Sequence, residues 1–247
     1  MDWYKEWFGK EYLLVYPHRN EAEAQRQIDF LQKYIKIPKD AKILDLCCGN
    51  GRHAVELKKL GYDVVGLDLS EDLLEVARSK ASEDNLEDLR FVQCDMREIP
   101  YEDHFDLVVQ FFTSFGYFES DAENQRVLSA ISKALKPGGK FLIDYMNPDC
   151  VVKNLVARDE KQIAEGVSIV QERWIENSTH RVNKRITLIK NGEKSVFNES
   201  VRMYNLQEIK NMLTYEGLRL MEVYGDFDGS EYVLDSPRMI LVGKKIV

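Results

Sequence analysis

Cysteine is scarce and poorly placed for metal or disulfide chemistry: the chain has 4, at positions 47, 48, 94 and 150, and no CxxC pair among them. Neighbours such as Cys47 and Cys48 point to opposite sides of an extended backbone, so they suit neither one zinc site nor a bridge to each other. They read as small packing residues, with Cys47 open to lining a ligand. No apolar run approaches the roughly 18 residues that span a bilayer, and the first residues, MDWYKEWFGKEY, lack the charged-then-apolar pattern of a secretion signal. The expectation is a cytoplasmic protein with no membrane partner. Positive charge is in deficit as well: 34 Lys+Arg against 42 Asp+Glu leave a net charge of -8, which disfavours a partner held by neutralising many phosphates, nucleic acid above all. The acidic stretch DFDGSEYVLDS, with Asp226, Asp228 and Asp235, misses the DxDxDG spacing of a calcium loop, so no metal is expected. Internal repeats and low-complexity segments are absent from the sequence.

What is present is ordinary for a globular chain: 247 residues, 44% hydrophobic and 31% charged, enough for one large α/β domain or a core with a small appendage. Asn20 has capping-box spacing to Glu23, and Ile28, Leu31 and Ile35 supply an apolar face, so a helix is predicted from Asn20 until Pro38 closes it. From there the pattern alternates. AKILDLC (41–47), DVVGLDL (63–69), LRFVQC (89–94), FDLVVQF (105–111) and KFLIDYM (140–146) read as strands. Helices fit between them: HAVELKKL ended by Gly61, a segment capped by Ser70 and running through Ala81, and 121–136 ended by KPGG. Continuously apolar strands joined by helical crossovers mean a parallel sheet covered on both faces.

After Pro148 the pattern changes. VSIVQERWIE, RVNKRITLIK and KSVFNESVRMY are three strand-like runs on short polar links, with Asn191-Gly192 a hairpin signal between the last two. Such links are too short for parallel crossovers, so 165–204 reads as antiparallel. The helix NLQEIKNMLTYEG and the strands LRLMEVYG and PRMILVGKK follow. The expected fold is a Rossmann-like, mostly parallel seven-stranded sheet with helices on both faces, plus a small antiparallel insert. Its expected parts are an N-terminal helical lid over 1–40, a core over 41–149 and 205–247, and an inserted cap over 150–204. Strand edges in the insert leave monomer and homodimer both open.

In an open parallel sheet the ligand sits at the carboxyl ends of the strands, near the point where strand order reverses. Asp45 and Cys47 end the first strand, Gly49 and Gly51 make the turn, Asp68 ends the second, Asp95 follows the third, and Gln110 to Phe112 end the fourth. These residues should converge. Glycine lets a ligand approach the backbone, and the next helix aims its amide hydrogens at the site. Asp68 is placed to accept from two ribose hydroxyls and Asp95 from an exocyclic amine, so the ligand should contain adenosine. Gly49 to Ala54 also matches GxGxxA, so this loop alone permits an NAD-dependent oxidoreductase.

Taken together, LDLCCGNG, GLDLS, CDMREIP and LKPGGKFLID resemble, in order and spacing, four motifs of the class I S-adenosylmethionine-dependent methyltransferases. One departure is Cys47, where the family most often has glycine. The resemblance covers roughly 41–149 and 205–247. It implies that backbone groups from Cys47 through Cys48, Gly49 and Asn50 to Gly51 hold the methionine part of the cofactor. It further implies that Asp68 with the Leu69 backbone holds the ribose, that Asp95 with Met96 frames the adenine, and that Phe111 adds to the pocket wall. Related enzymes fold their N-terminal region over the cofactor, which makes Tyr12 and Tyr16 cover residues, with Arg19 a partner for the cofactor carboxylate.

Because a sulfonium methyl is already activated, the reaction compels no catalytic residue, and a base is needed only for a protonated nucleophile. His18 and Tyr117 are the catalytic candidates. The segment FFTSFGYF offers Phe112, Ser114, Phe115 and Tyr117 to the methyl acceptor, and Trp174 and Tyr204 on the insert face either the pocket or the cap's own core. Over 167–204, seven basic residues (Arg173, Arg181, Lys184, Arg185, Lys190, Lys194 and Arg202) against four acidic ones could favour an anionic acceptor or form a solvated face. The expected activity is methyl transfer to O, N or S of a small or medium-sized metabolite. RNA methylation, an oxidoreductase and a non-catalytic cofactor-binding protein are the alternatives.

Overall fold

The computed structural model describes residues 2–16 and 20–246. Five parallel strands form its centre: β1 (Lys42–Leu46), β2 (Asp63–Asp68), β3 (Arg90–Gln93), β4 (Phe105–Gln110) and β5 (Leu135–Met146). Two more, β10 (Leu218–Tyr224) and β11 (Arg238–Lys245), pair antiparallel with each other, and β11 also runs antiparallel to β5. The order β10-β11-β5-β4-β1-β2-β3 makes the expected seven-stranded sheet. Strand order reverses between β1 and β4, which places the ligand crevice there.

Helices α3 (Glu21–Tyr34), α4 (Arg52–Lys59), α5 (Glu71–Glu83), α6 (Asp121–Ala134) and α8 (Leu206–Tyr215) cover the faces. Their starts are chemically specified: Ser70 and Ser120 each accept an N–H three residues on, and Asn205 with Glu208 closes a complete capping box. Asn20 caps α3 by accepting from the Glu23 amide, but the reciprocal half of the box is missing. The Glu23 carboxylate instead lies 3.7 Å from the Arg52 guanidinium.

A second sheet, β6-β7-β8-β9, is antiparallel and has four strands, not the three read from the sequence. The extra strand is β6 (Arg158–Ala164), followed by β7 (Val167–Glu176), β8 (Arg181–Lys190) and β9 (Glu193–Arg202). With the sequence RDEKQIA, β6 is a charged edge strand, and its lack of β-branched alternation hid it. Two short helices, α1 (Trp3–Trp7) and α2 (Lys10–Val15), precede α3, and α7 (Pro148–Asn154) leads into the second sheet. Helix α1 is stapled to β9: Trp7 is buried, its ring centroid 4.6 Å from that of Phe197, and its indole N–H donates to Glu199 at 2.7 Å.

Candidate functional site

The turn after β1 is built around left-handed backbone. Cys47, Gly49 and Gly51 have φ of 60, 55 and 74°. Cys47 therefore occupies a conformation that costs an ordinary L residue about 1–2 kcal/mol, which gives the family's glycine preference at this position a physical cause. Gly51 is fixed by space as well: a Cβ there would stand 2.8 Å from the Ala77 Cβ and 2.9 Å from the Phe91 ring. The turn is tied to β2 by Asp68, whose Oδ2 accepts the Gly49 N–H at 2.8 Å while Oδ1 accepts the Ser70 N–H at 2.9 Å. A carboxylate offers about four lone-pair positions, so two remain for a ligand. Burial pushes the Asp68 carboxyl above the ordinary range, against the pull of those amides.

Asp45 is wholly buried, and its Oδ2 has no hydrogen-bond partner among the described residues. Burial, partly offset by the Ala54 amide, raises its pKa to about 7. Because the folded value lies above the unfolded one, the stability contributed by the proton is complete below about pH 4 and is lost as pH rises through 7. Ligand-free protein is therefore expected to lose on the order of 2–4 kcal/mol across that window relative to Asp45→Asn. Denaturant titrations of both proteins at pH 4.5 and pH 8 measure the difference; parallel pH profiles would refute the assignment.

Asp95 faces the cleft, as expected, but is also committed to Arg97. Arg97 grips it with its backbone N–H and Nε on Oδ1, at 2.9 and 3.0 Å, and with Nη2 on Oδ2 at 2.6 Å. Burial raises the Asp95 carboxyl, but this guanidinium fork outweighs it and holds the group below its usual range. Three of about four acceptor positions are taken, leaving one for a ligand N–H. Arg97 also pairs with Glu123 and lies 4.1 Å over the Phe118 ring, so its position is fixed from three sides.

Asp45, Cys47, Cys48, Gly49, Asn50 and Asp68 line one cavity of about 940 Å³, its mouth included. Leu69, Met96 and Phe111 add to its wall, as do Tyr12 on α2 and Tyr16 just after it. Gln110 does not reach the space. It is fully buried behind Cys47 and Met96, its Nε2 donating to the Ser114 carbonyl at 3.3 Å and its Oε1 unpartnered among the described residues. Gly51 likewise shapes the turn without facing the cavity.

Two groups of the wall escaped sequence reasoning. His53 stacks on Phe111 with centroids 4.1 Å apart, and its Nε2 meets the Gln27 Oε1 at 2.6 Å. Burial holds it well below the usual histidine range, so it is a neutral ring that donates to Gln27. Tyr4 on α1 and Phe8 just after it also reach the cavity, and the Ser70 hydroxyl donates to the Phe8 carbonyl. The crowd of aromatics in WYKEWF was their signal.

A second cavity lies between the first two helices, the end of β5 and the second sheet, and shares Phe8, Tyr12, Phe112 and Tyr117 with the first. Tyr117 sits in this collar with its ring nearly parallel to Phe8 and 4.9 Å from Trp3. Phe112 and Thr113 are left-handed non-glycine residues, φ 60 and 56°, held by Asp144 and Arg238. Asp144 accepts the Phe112 N–H at 2.8 Å and pairs with Arg238, which donates to the Thr113 hydroxyl. Ser114 lines the first cavity and donates to the Phe111 carbonyl.

Three acceptor-site expectations are corrected. Phe115 is buried against Tyr145 and Tyr204, facing neither cavity. Tyr204 is 2% exposed, with its hydroxyl donating to Asp121 at 2.6 Å and accepting from Asn124. Trp174 is 41% exposed beneath the Arg185 guanidinium, on a face that touches neither cavity. Of the seven basic residues, Arg173 and Lys184 face the second cavity. His18 and Arg19 lie outside the described residues.

The sheet order, the reversed last strand and the glycine turn with its buried carboxylates match the arrangement that the resemblance to class I methyltransferases implies. A methyltransferase-domain family model matches residues 43–139. The chain is similar to a protein of Geobacillus sp. (strain WCH70) named for a methyltransferase, 29% identical over 237 residues, 92% of this chain and 94% of that one. It is also similar to the dTDP-3-amino-3,4,6-trideoxy-alpha-D-glucopyranose N,N-dimethyltransferase of Streptomyces venezuelae, 29% identical over 218 residues, 84% of this chain and 87% of that one. Among solved structures, an S-adenosylmethionine-dependent methyltransferase from Clostridium acetobutylicum matches with a TM-score of 0.82 at 19% identity, covering 96% of this chain and 98% of that one. Residues 43–139 thus match a methyltransferase domain, the sheet has the fold of the S-adenosylmethionine-dependent methyltransferases, and S-adenosylmethionine is the cofactor. The residues fit that molecule: the orphaned Asp45 oxygen suits its ammonium, and the two free positions on Asp68 suit its ribose hydroxyls.

Proposed function

We propose that this protein transfers a methyl group to O, N or S of a small metabolite held in the second cavity. The observation that carries the reading is the shared collar of Phe8, Tyr12, Phe112 and Tyr117, through which a methyl in the first cavity faces an acceptor in the second. Bound in the first cavity, the cofactor supplies a sulfonium methyl whose leaving group is a neutral thioether.

The chain's own residues bind, orient and exclude water. Asp68 takes two ribose hydroxyls, the Leu69 backbone lies beside them, and Asp95 with Met96 frames the adenine. Asp45 faces the ammonium, and the backbone from Cys47 to Asn50 follows the methionine part. In the collar the aromatic faces stabilise the positively charged reacting group by about 0.5–2 kcal/mol each. Orientation accounts for most of the acceleration, on the order of 7–11 kcal/mol when two reactants are held in line. Residues 1–40 act as a lid and 150–204 as a cap, and together they choose the acceptor. The relative from Streptomyces venezuelae, an amino-sugar N,N-dimethyltransferase by name, supports a small-molecule acceptor.

Incubation with methyl-labelled S-adenosylmethionine and a panel of metabolites tests the reading. Label should move to a small acceptor, with S-adenosylhomocysteine formed in equal amount. Label transferred to RNA and to no small molecule would refute it.

A further inference from the structure

The second cavity carries one carboxylate that the fold does not neutralise directly. Glu199, half-buried on β9, accepts from the Trp7 indole at 2.7 Å and the Tyr16 hydroxyl at 2.6 Å, both on Oε1. Its Oε2 takes no hydrogen bond from a described residue, and no described cation lies within ion-pair distance of the carboxylate.

The other charges of the wall are engaged elsewhere. Arg173 pairs with Asp159 at 2.7 Å and Arg238 with Asp144 at 2.7 Å. Lys184 is directly opposite Glu199 in the strand register, but its ammonium donates to the Tyr16 hydroxyl at 2.8 Å. The remaining basic residues do not make an anion site. Arg181 donates to backbone carbonyls, and Arg202 pairs with Asp121 and Glu208.

Glu199 is also close to the place of reaction. Tyr16, which lines the cofactor cavity, is one hydrogen bond away, and the aromatic collar borders both spaces. A carboxylate with an open oxygen, walled by aromatic faces, recognises a cation or a group about to become one.

We infer that the methyl acceptor is a small amine, with Glu199 Oε2 accepting the hydrogen bond of the amine that is methylated. This rests on the methyl-transfer reading above. The lone pair of the neutral amine forms the new N–C bond as the C–S bond breaks, and the electrons of that bond stay on sulfur. Positive charge thus passes to the nitrogen beside Glu199, and the amine proton leaves to solvent water. Trp7 and Tyr16 are positioning residues that aim the carboxylate.

The test measures binding of matched amine, alcohol and carboxylate probes, on benzyl, cyclohexyl and hexose scaffolds, to the full chain saturated with S-adenosylhomocysteine. The amine of at least one set should bind ten-fold or more tighter than its alcohol and carboxylate counterparts. Glu199→Gln, which keeps an oxygen for Trp7 and Tyr16, should erase that preference while S-adenosylhomocysteine affinity stays within three-fold. Equal binding, no binding, a carboxylate preference, or an amine preference that survives Glu199→Gln would overturn the inference. Label transfer from S-adenosylmethionine to an alcohol or thiol would overturn the amine and leave the methyl-transfer reading standing; failure to bind S-adenosylhomocysteine at all would remove both.

Discussion

Replacing Asp68 with alanine is expected to weaken S-adenosylmethionine binding by about 150- to 5000-fold. The carboxylate has two free acceptor positions at the mouth of the turn, and charge-assisted hydrogen bonds contribute about 1.5–3 kcal/mol each. Two ribose hydroxyls would therefore forfeit roughly 3–5 kcal/mol. The same substitution leaves the Gly49 and Ser70 amides without their acceptor, so the turn that follows β1 loosens as well. Asp68→Asn keeps one oxygen for an amide and removes the charge, and should fall between alanine and the parent. Calorimetric titration of the three proteins decides the matter. An alanine variant that binds within three-fold of the parent would show that Asp68 holds only the turn.

The second large effect concerns stability. Arg181 on β8 is 8% exposed, and its guanidinium donates to the carbonyls of Phe118, Tyr117 and Gly116, and to the carbonyl and hydroxyl of Ser200. It thereby pins the segment after β4, which carries Tyr117, to the second sheet. Burial pushes its pKa down from the usual guanidinium value. Removing it leaves several buried carbonyls unsatisfied, at about 1–3 kcal/mol each before relaxation and water entry. Arg181→Ala should therefore cost about 3 kcal/mol and lower Tm by roughly 6–12 °C. Cofactor affinity should change less than five-fold, because the first cavity is held by β1, β2 and their turns, while label transfer to the acceptor should fall at least ten-fold. Scanning calorimetry and the transfer assay read the two effects separately. An unchanged Tm would mean that the sheet-to-sheet contact is carried by the apolar packing of Ile169, Ile186 and Leu188.

The central sheet was legible in the sequence because each strand is a short apolar run bounded by a turn and the crossover helices α5 and α6 each start at a serine cap. Asp45, Asp68 and the turn from Cys47 to Asn50 were legible for a related reason: position at a strand's carboxyl end decides which residues meet a ligand. Asp95 was placed correctly in the cleft, but its commitment to Arg97 depends on how two neighbouring side chains fold onto each other. Strand β6 was hidden by its charged edge composition. The acceptor side was the least legible. Arg181, Lys184 and Glu199 read alike as charges alternating along exposed strands, and the three fates they meet depend on the lid and on the segment after β4. Trp174 and Tyr204 had the residue type of pocket walls, yet sheet pairing and the neighbouring helix turned both away. Sequence period fixes the face of a strand within its sheet, whereas the partner of that face is a tertiary fact.

Side-by-side calorimetric titration of the purified protein with S-adenosylmethionine, S-adenosylhomocysteine and NAD tests the central claim most directly. The account predicts saturable binding of the first two at one site per chain and no heat from NAD. Binding of NAD alone would mean that the glycine turn after Cys47 serves a dinucleotide, and it would contradict the assignment of both cavities.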